Sequence, residues 1–166
     1  MTCIIAGTGH RPSKLAHPDI CYSERVLERL TALCVAYLKR SSATEIVTGM
    51  ALGFDTAYCI AGLDLGLHVT AAVPFKGQEL TWKRSDRQRY SDLLSRCDRV
   101  VVVCEGNYHP SKMHRRNEWM VSGCHKVLAL YDGIPGGGTG ACVEYAIRNG
   151  KPIDNIWKSW VKYSGV

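Results

Sequence analysis

The densest run of small residues in the chain is Gly136, Gly137, Gly138, Thr139 and Gly140. It follows the apolar run 127–130 and opens a segment with helical spacing, so it reads as a strand-to-helix turn. Successive glycines tolerate positive φ and let a ligand come up against the main chain, and the N–H groups of a helix starting there suit phosphate or another anion. Taken alone, the turn also fits a plain flexible surface loop.

Further residues have side chains suited to such a ligand. Arg116 carries the planar guanidinium that pairs in a bidentate way with phosphate. Against that stands an exposed helix arginine or an ion pair with Glu118, and Arg115 competes for the role because the helical register is open. Asp55 fits either an acceptor for ribose hydroxyls or the cap of a helix starting near Thr56. His10 has the chemistry to stack on a base or assist proton transfer, yet in a glycine turn it also reads as an ordinary loop residue, and Arg11 beside it is the stronger candidate.

Alternating elements must position these groups. Residues 3–6 form a short apolar strand that runs into Gly7, Thr8, Gly9, His10 and Arg11. From Ser23, apolar residues recur at helical spacing as far as Leu38, and 45–48 is the next strand, ending in the loop from Gly49 to Asp55. A helix reaches about Leu65, 68–73 is a third strand stopped by Pro74, and a charged helix covers about 85–96. Residues 99–104 have the continuous β-branched character of a strand buried on both faces. A polar loop over 105–112, a helix from Met113, a fifth strand over 126–130 and a helix over about 140–148 follow. The tail has a short segment at Pro152 and Ile153, then Trp157, Trp160 and Tyr163 at the spacing of a helix packed on the body. Strands alternating with helices imply a parallel sheet whose strand-to-helix turns gather at one edge. The loops at Gly7, Gly49, Glu105 and Gly133 are therefore expected to share one cleft near a topological switch point.

A chain of 166 residues fits a single domain, 1–166, that buries a core without disulfides or metal. With 46% hydrophobic and 22% charged residues and no apolar run long enough to cross a bilayer, it reads as a soluble protein with no membrane partner. The N-terminus lacks the basic and apolar regions of a secretory signal, so a cytoplasmic location is expected. The eight cysteines are scattered without a CxxC pair and mostly lie in apolar segments, which predicts buried free thiols. Cys104, His109, His114, Cys124 and His125 lack zinc-ligand spacing, and neither a metal nor a cofactor is expected. A net charge of +6 favours anionic partners without choosing among them, and the basic run at 82–89 reads as a solvated helix face. Trp119 and Met120 share helical spacing with Cys124 and are read as core or dimer contacts; a homo-oligomer is expected.

Four ordered motifs, GTGHRP at Gly7, TGMALGFD at Thr48, MHRRNEWMV at Met113 and GGGTG at Gly136, together resemble the SLOG superfamily, in particular its YpsA-like branch. The superfamily also contains the LOG phosphoribohydrolases and DNA-processing protein A. The resemblance covers nearly the whole chain and implies an α/β, Rossmann-like three-layer sandwich with a mainly parallel central sheet. It further implies noncovalent binding of a nucleotide-derived small molecule, such as an NAD-derived, ADP-ribose-like or cyclic nucleotide, by a sensor or sequestering protein. By motif position the ligand residues would be Gly7, Gly9 and Arg11 in the first loop and Gly49, Gly53 and Asp55 in the second. Arg116 and Asn117 would follow in the third, and Gly137, Gly138 and Thr139 in the fourth, under the phosphate.

The rival is a LOG-type nucleoside 5′-monophosphate phosphoribohydrolase. There Arg116 would orient substrate while Glu144, Asp55 or Glu118 stabilises positive charge on the sugar. The threonine comes early here relative to the hydrolase pattern, and the displacement of Glu144 rotates it about half a turn away from the cleft. That favours a binder. Single-stranded DNA ranks last, since no extended stripe interleaves aromatic and basic residues, and nucleic acid is not an expected partner.

Overall fold

The computed structural model describes residues 1–15 and 23–164; Cys21 and the side chain of Tyr163 lie outside the described residues. Six strands form one sheet: β1 (Ile4–Gly9), β2 (Glu45–Thr48), β3 (His68–Val73), β4 (Arg99–Val102), β5 (Lys126–Leu130) and β6 (Ile153–Asn155). Their order is β4-β3-β2-β1-β5-β6, and all five pairings are parallel. The segment at Pro152 and Ile153 is thus the start of a sixth strand, pairing Val127 with Ile153.

Helices cover both faces, which gives the expected three layers. On one face lie α1 (Glu24–Arg40), α2 (Phe54–Asp64), α3 (Arg84–Arg96) and α6 (Trp157–Ser164), whose buried Leu30, Phe54, Tyr58, Leu93 and Trp160 form one core with Ile5, Ile46 and Leu128. On the other lie α4 (Pro110–Ser122) and α5 (Gly137–Arg148), which bury Met120, Val121, Cys142 and Ala146 against Ala6, Val47 and Val127. The alternation of Ile5 and Ala6 between the two cores is the period-2 signature of a strand covered twice. Met120 and Cys124 are core residues here, with Trp119 packed at its margin. No helix among the described residues is long and apolar enough to cross a membrane.

Helix α1 is positioned by its one apolar face, with Val26, Leu27, Leu30, Cys34 and Leu38 buried, and by Lys39 and Arg40 in the last turn, where cations suit the helix dipole. Helix α4 starts earlier than Met113. Pro110 occupies its first turn and the His109 ring accepts a hydrogen bond from Ser111 N at 3.2 Å. The helix buries the stripe Arg116, Asn117, Met120 and Val121, which leaves Arg115 on the exposed side.

The placement of β4 corrects the reading of a strand buried on both faces. Among the described residues it is an edge strand, paired only with β3, and Val100 and Val102 are 46% and 49% exposed. Covering by α3 is thin, since that helix buries only Tyr90 and Leu93. A run of valines reports a preference for extended backbone, which an edge strand satisfies as well as a central one.

Candidate functional site

The chain reverses its direction of sheet growth between β1 and β5: β2, β3 and β4 are added on one side of β1, and β5 and β6 on the other. Loops leaving the carboxyl ends of β1 and β5 separate there, and a cleft of about 240 Å³ opens between them. Its floor is Gly7, Thr8 and Gly9 at the end of β1, and one wall is the turn Gly136–Thr139. The lining is completed by Ala51 and Asp55 from the second loop and α2, and by Met113, Arg116 and Asn117 from α4. His10, Arg11, Ser13 and Lys14 line its mouth.

The glycine turn is already helix: α5 begins at Gly137, not near Gly140. Gly136 and Gly137 have φ of 100° and 72°, in the region that excludes most side chains, and no side chain caps the helix start. The first N–H groups of α5 therefore open on the cleft, with the positive end of the helix dipole behind them. Asn117 ties this wall to α4, donating from Nδ2 to the Gly138 carbonyl at 3.4 Å.

Arg116 is the buried cation of the site, 5% exposed. Its Nη1 donates to the Gly49 carbonyl and its Nε to Asn117 Oδ1 at 2.9 Å. This is neither the exposed helix arginine nor the Glu118 pair, since Glu118 is exposed on α4. Burial lowers the Arg116 pKa, and the nearby Asp55 carboxylate works against that. Asp55, 6% exposed, does not cap α2. It sits on the second residue of that helix, where its Oδ2 accepts from Ala51 N at 3.1 Å and shapes the preceding loop. Burial raises its pKa, with Arg116 pulling the other way. In the same loop Met50, buried, holds a left-handed φ of 58°, an uncommon state for a side chain of this size.

Several glycines assigned to the ligand have another task. A Cβ on Gly49 would collide with the Arg116 guanidinium, and one on Gly53, where φ is 91°, would come 2.7 Å from the His10 carbonyl. Neither residue lines the cleft. Gly7 and Gly9 do line it, yet on their far side they make room for the stacked rings of Tyr58 and Phe54, 5.4 Å apart.

The loop at Glu105 does not join the cleft, and neither does Gly133. The first follows the edge strand β4, three strands away from β1, and the chain reaches the site only one helix later, through α4. Of the three carboxylates considered for catalysis, Asp55 alone lines the cleft. Glu118 and Glu144 are exposed outside it, Glu144 more than one turn along α5 from Thr139.

Sequence reasoning underrated His10. Its ring is buried at the mouth, 5.5 Å edge-on to Trp157 and 5.8 Å from Tyr131, with Nε2 2.9 Å from Asp132 Oδ1. The only signal was the histidine in the first loop; its partners lie far along the chain. Burial depresses its pKa below the ordinary 6.5, against the raising effect of Asp132. A histidine with a depressed folded pKa contributes stability that is whole above the unfolded value and is lost as pH falls through the folded one. We expect NMR titration of the imidazole signals to place the His10 midpoint below 6.5. A midpoint above it would mean that Asp132, not burial, governs the ring.

The model of the YpsA family, described as the YspA SLOG family, matches residues 5–156. The uncharacterized SPbeta prophage-derived protein YoqJ of Bacillus subtilis (strain 168) is 28% identical over 138 residues, covering 74% of this chain and 80% of its own. DNA processing protein A from Streptococcus pneumoniae superposes with a TM-score of 0.64 at 18% identity over 99% of this chain, which spans 55% of that one. The same protein from Helicobacter pylori, whose structure concerns a single-stranded DNA binding mode, gives 0.62 at 15% identity over 98% of this chain and 73% of its own. At these identities the two structures establish the likeness of fold alone.

Proposed function

Because this chain belongs to the YspA SLOG family, we propose that its cleft binds a nucleotide-derived small molecule noncovalently, as a sensor or sequestering protein. The observation that carries the reading is the α5 N-terminus, entered through Gly136 and Gly137 and lining the same cleft as buried Arg116. Phosphate sits on the N–H groups of Gly138 and Thr139, where dipole and guanidinium both favour an anion. Asp55 accepts from sugar hydroxyls, and Arg11 and Lys14 at the mouth attract further negative charge. A volume of about 240 Å³ is at the small end of ligand pockets, so it takes one nucleoside phosphate unit and leaves any second unit at the mouth.

The test is a melting-temperature screen with AMP, ADP-ribose, NAD and cyclic nucleotides. A ligand at 100 times its dissociation constant adds about 2.7 kcal/mol to stability, and the hit is expected back chemically intact. If none of them shifts the transition, the nucleotide reading fails. Release of free base in proportion to protein, abolished in Asp55→Asn, would instead establish the phosphoribohydrolase, with Asp55 as the carboxylate facing the sugar.

A further inference from the structure

Among the described residues one pair of thiols lies in contact: Cys59 Sγ in α2 and Cys97 Sγ at the end of α3 are 3.8 Å apart, although 38 positions separate them in the chain. Cys59 is fully buried, whereas Cys97 is partly exposed and caps α3, its thiol donating to the Leu93 carbonyl at 3.3 Å. Cys97 is thus the more accessible of the two residues to a small reagent, and Cys59 the sheltered one. A disulfide needs about 2.05 Å between sulfurs, and the remaining approach falls to α3, a surface helix whose buried residues are Tyr90 and Leu93.

We propose that Cys59 and Cys97 are a modification site, a dithiol that a peroxide closes to a disulfide and a dithiol reductant reopens. The Cys97 thiolate attacks one peroxide oxygen. The O–O bond breaks, leaving Cys97 as a sulfenic acid and releasing hydroxide or alkoxide, which takes up a proton. The Cys59 sulfur then attacks the Cys97 sulfur; the S–O bond breaks, and the departing hydroxide leaves as water with the Cys59 proton. Two thiols are oxidised, one peroxide is reduced, and no other reactant is needed. The order of attack follows from access and from acidity. The Cys59 thiol, hydrogen-bonded to the Cys97 sulfur, holds the Cys97 pKa below its ordinary value, whereas that bond and burial push Cys59 far up. Because this chemistry depends on the two thiols alone, it stands apart from the ligand reading of the cleft.

The experiment treats the reduced full chain with hydrogen peroxide and maps its peptides by mass spectrometry. The expected result is a linked pair of peptides containing Cys59 and Cys97, lighter by two hydrogens than the separate thiols and restored by dithiothreitol. In Cys97→Ser that pair disappears and Cys59 stays a thiol; in Cys59→Ala a sulfenic-acid trap labels Cys97. Wild-type protein in which Cys97 passes to the sulfinic acid with Cys59 still free would overturn the proposal. So would oxidation confined to other cysteines, such as Cys3 or Cys104. Both outcomes are read on the unmutated chain, so a variant that fails to fold leaves the test intact.

Discussion

Arg116→Ala is expected to lower the unfolding free energy by about 3–5 kcal/mol, the cost of removing one member of a buried charged set and stranding the rest. The residue is 5% exposed, its donors go to the Gly49 carbonyl and Asn117 Oδ1, and Asp55 lies within its field. Urea denaturation measures the loss. Asp55→Asn in the same chain removes the stranded carboxylate, so the double variant should be less destabilised than the two single losses added together. The deficit also depends on pH in a definite direction. Burial already raises the Asp55 pKa, and without Arg116 it rises further. A carboxyl with a raised folded pKa loses stability as pH climbs from its unfolded value, 3.8, through the folded one. The variant should therefore lie nearest to wild type in acid and furthest from it at neutral pH. A loss under about 1 kcal/mol, an ordinary surface effect, would mean that Arg116 holds nothing in place.

Gly138→Asp should weaken a phosphorylated ligand about 100-fold, equivalent to about 2.7 kcal/mol, while leaving the fold close to wild type. The position isolates ligand binding from folding. Unlike Gly136 and Gly137, Gly138 has no positive φ, and a Cβ there would meet nothing within 4 Å. The new carboxylate would occupy the space in front of the α5 N–H groups and repel an anion there. Titration with the hit of the nucleotide screen, alongside a circular dichroism spectrum, reads both quantities. Unchanged affinity would remove the phosphate from this turn.

The alternation of strand and helix was legible in the sequence because each element keeps its own hydrophobic period, and the glycine turn because few other sequences punctuate so strongly. What could not be read was relation across distance. The valines of β4 announce a strand but not the number of its neighbours. Arg115 and Arg116 are equivalent until the packing of Met120 and Val121 sets which one faces inward. Gly49 and Gly53 look like ligand glycines, and only the packed structure shows that one clears Arg116 and the other the His10 carbonyl. His10 was undervalued for the same reason: Asp132, whose backbone N–H donates to its Nε2, lies 122 positions along the chain.

The position of β1 between β2 and β5 also dictates when the cleft comes into existence. The first four strands can pair in the order they leave the ribosome, but β1 keeps an open edge until β5 arrives, joining Ile5 to Lys126 and Gly9 to Leu130. The cleft straddles that seam, so the half-made chain lacks it. A ligand that binds only the closed seam adds its free energy to this last step of assembly. It would act as a latch on the finished sheet, and amide exchange along β1 and β5 would slow more than anywhere else when it binds.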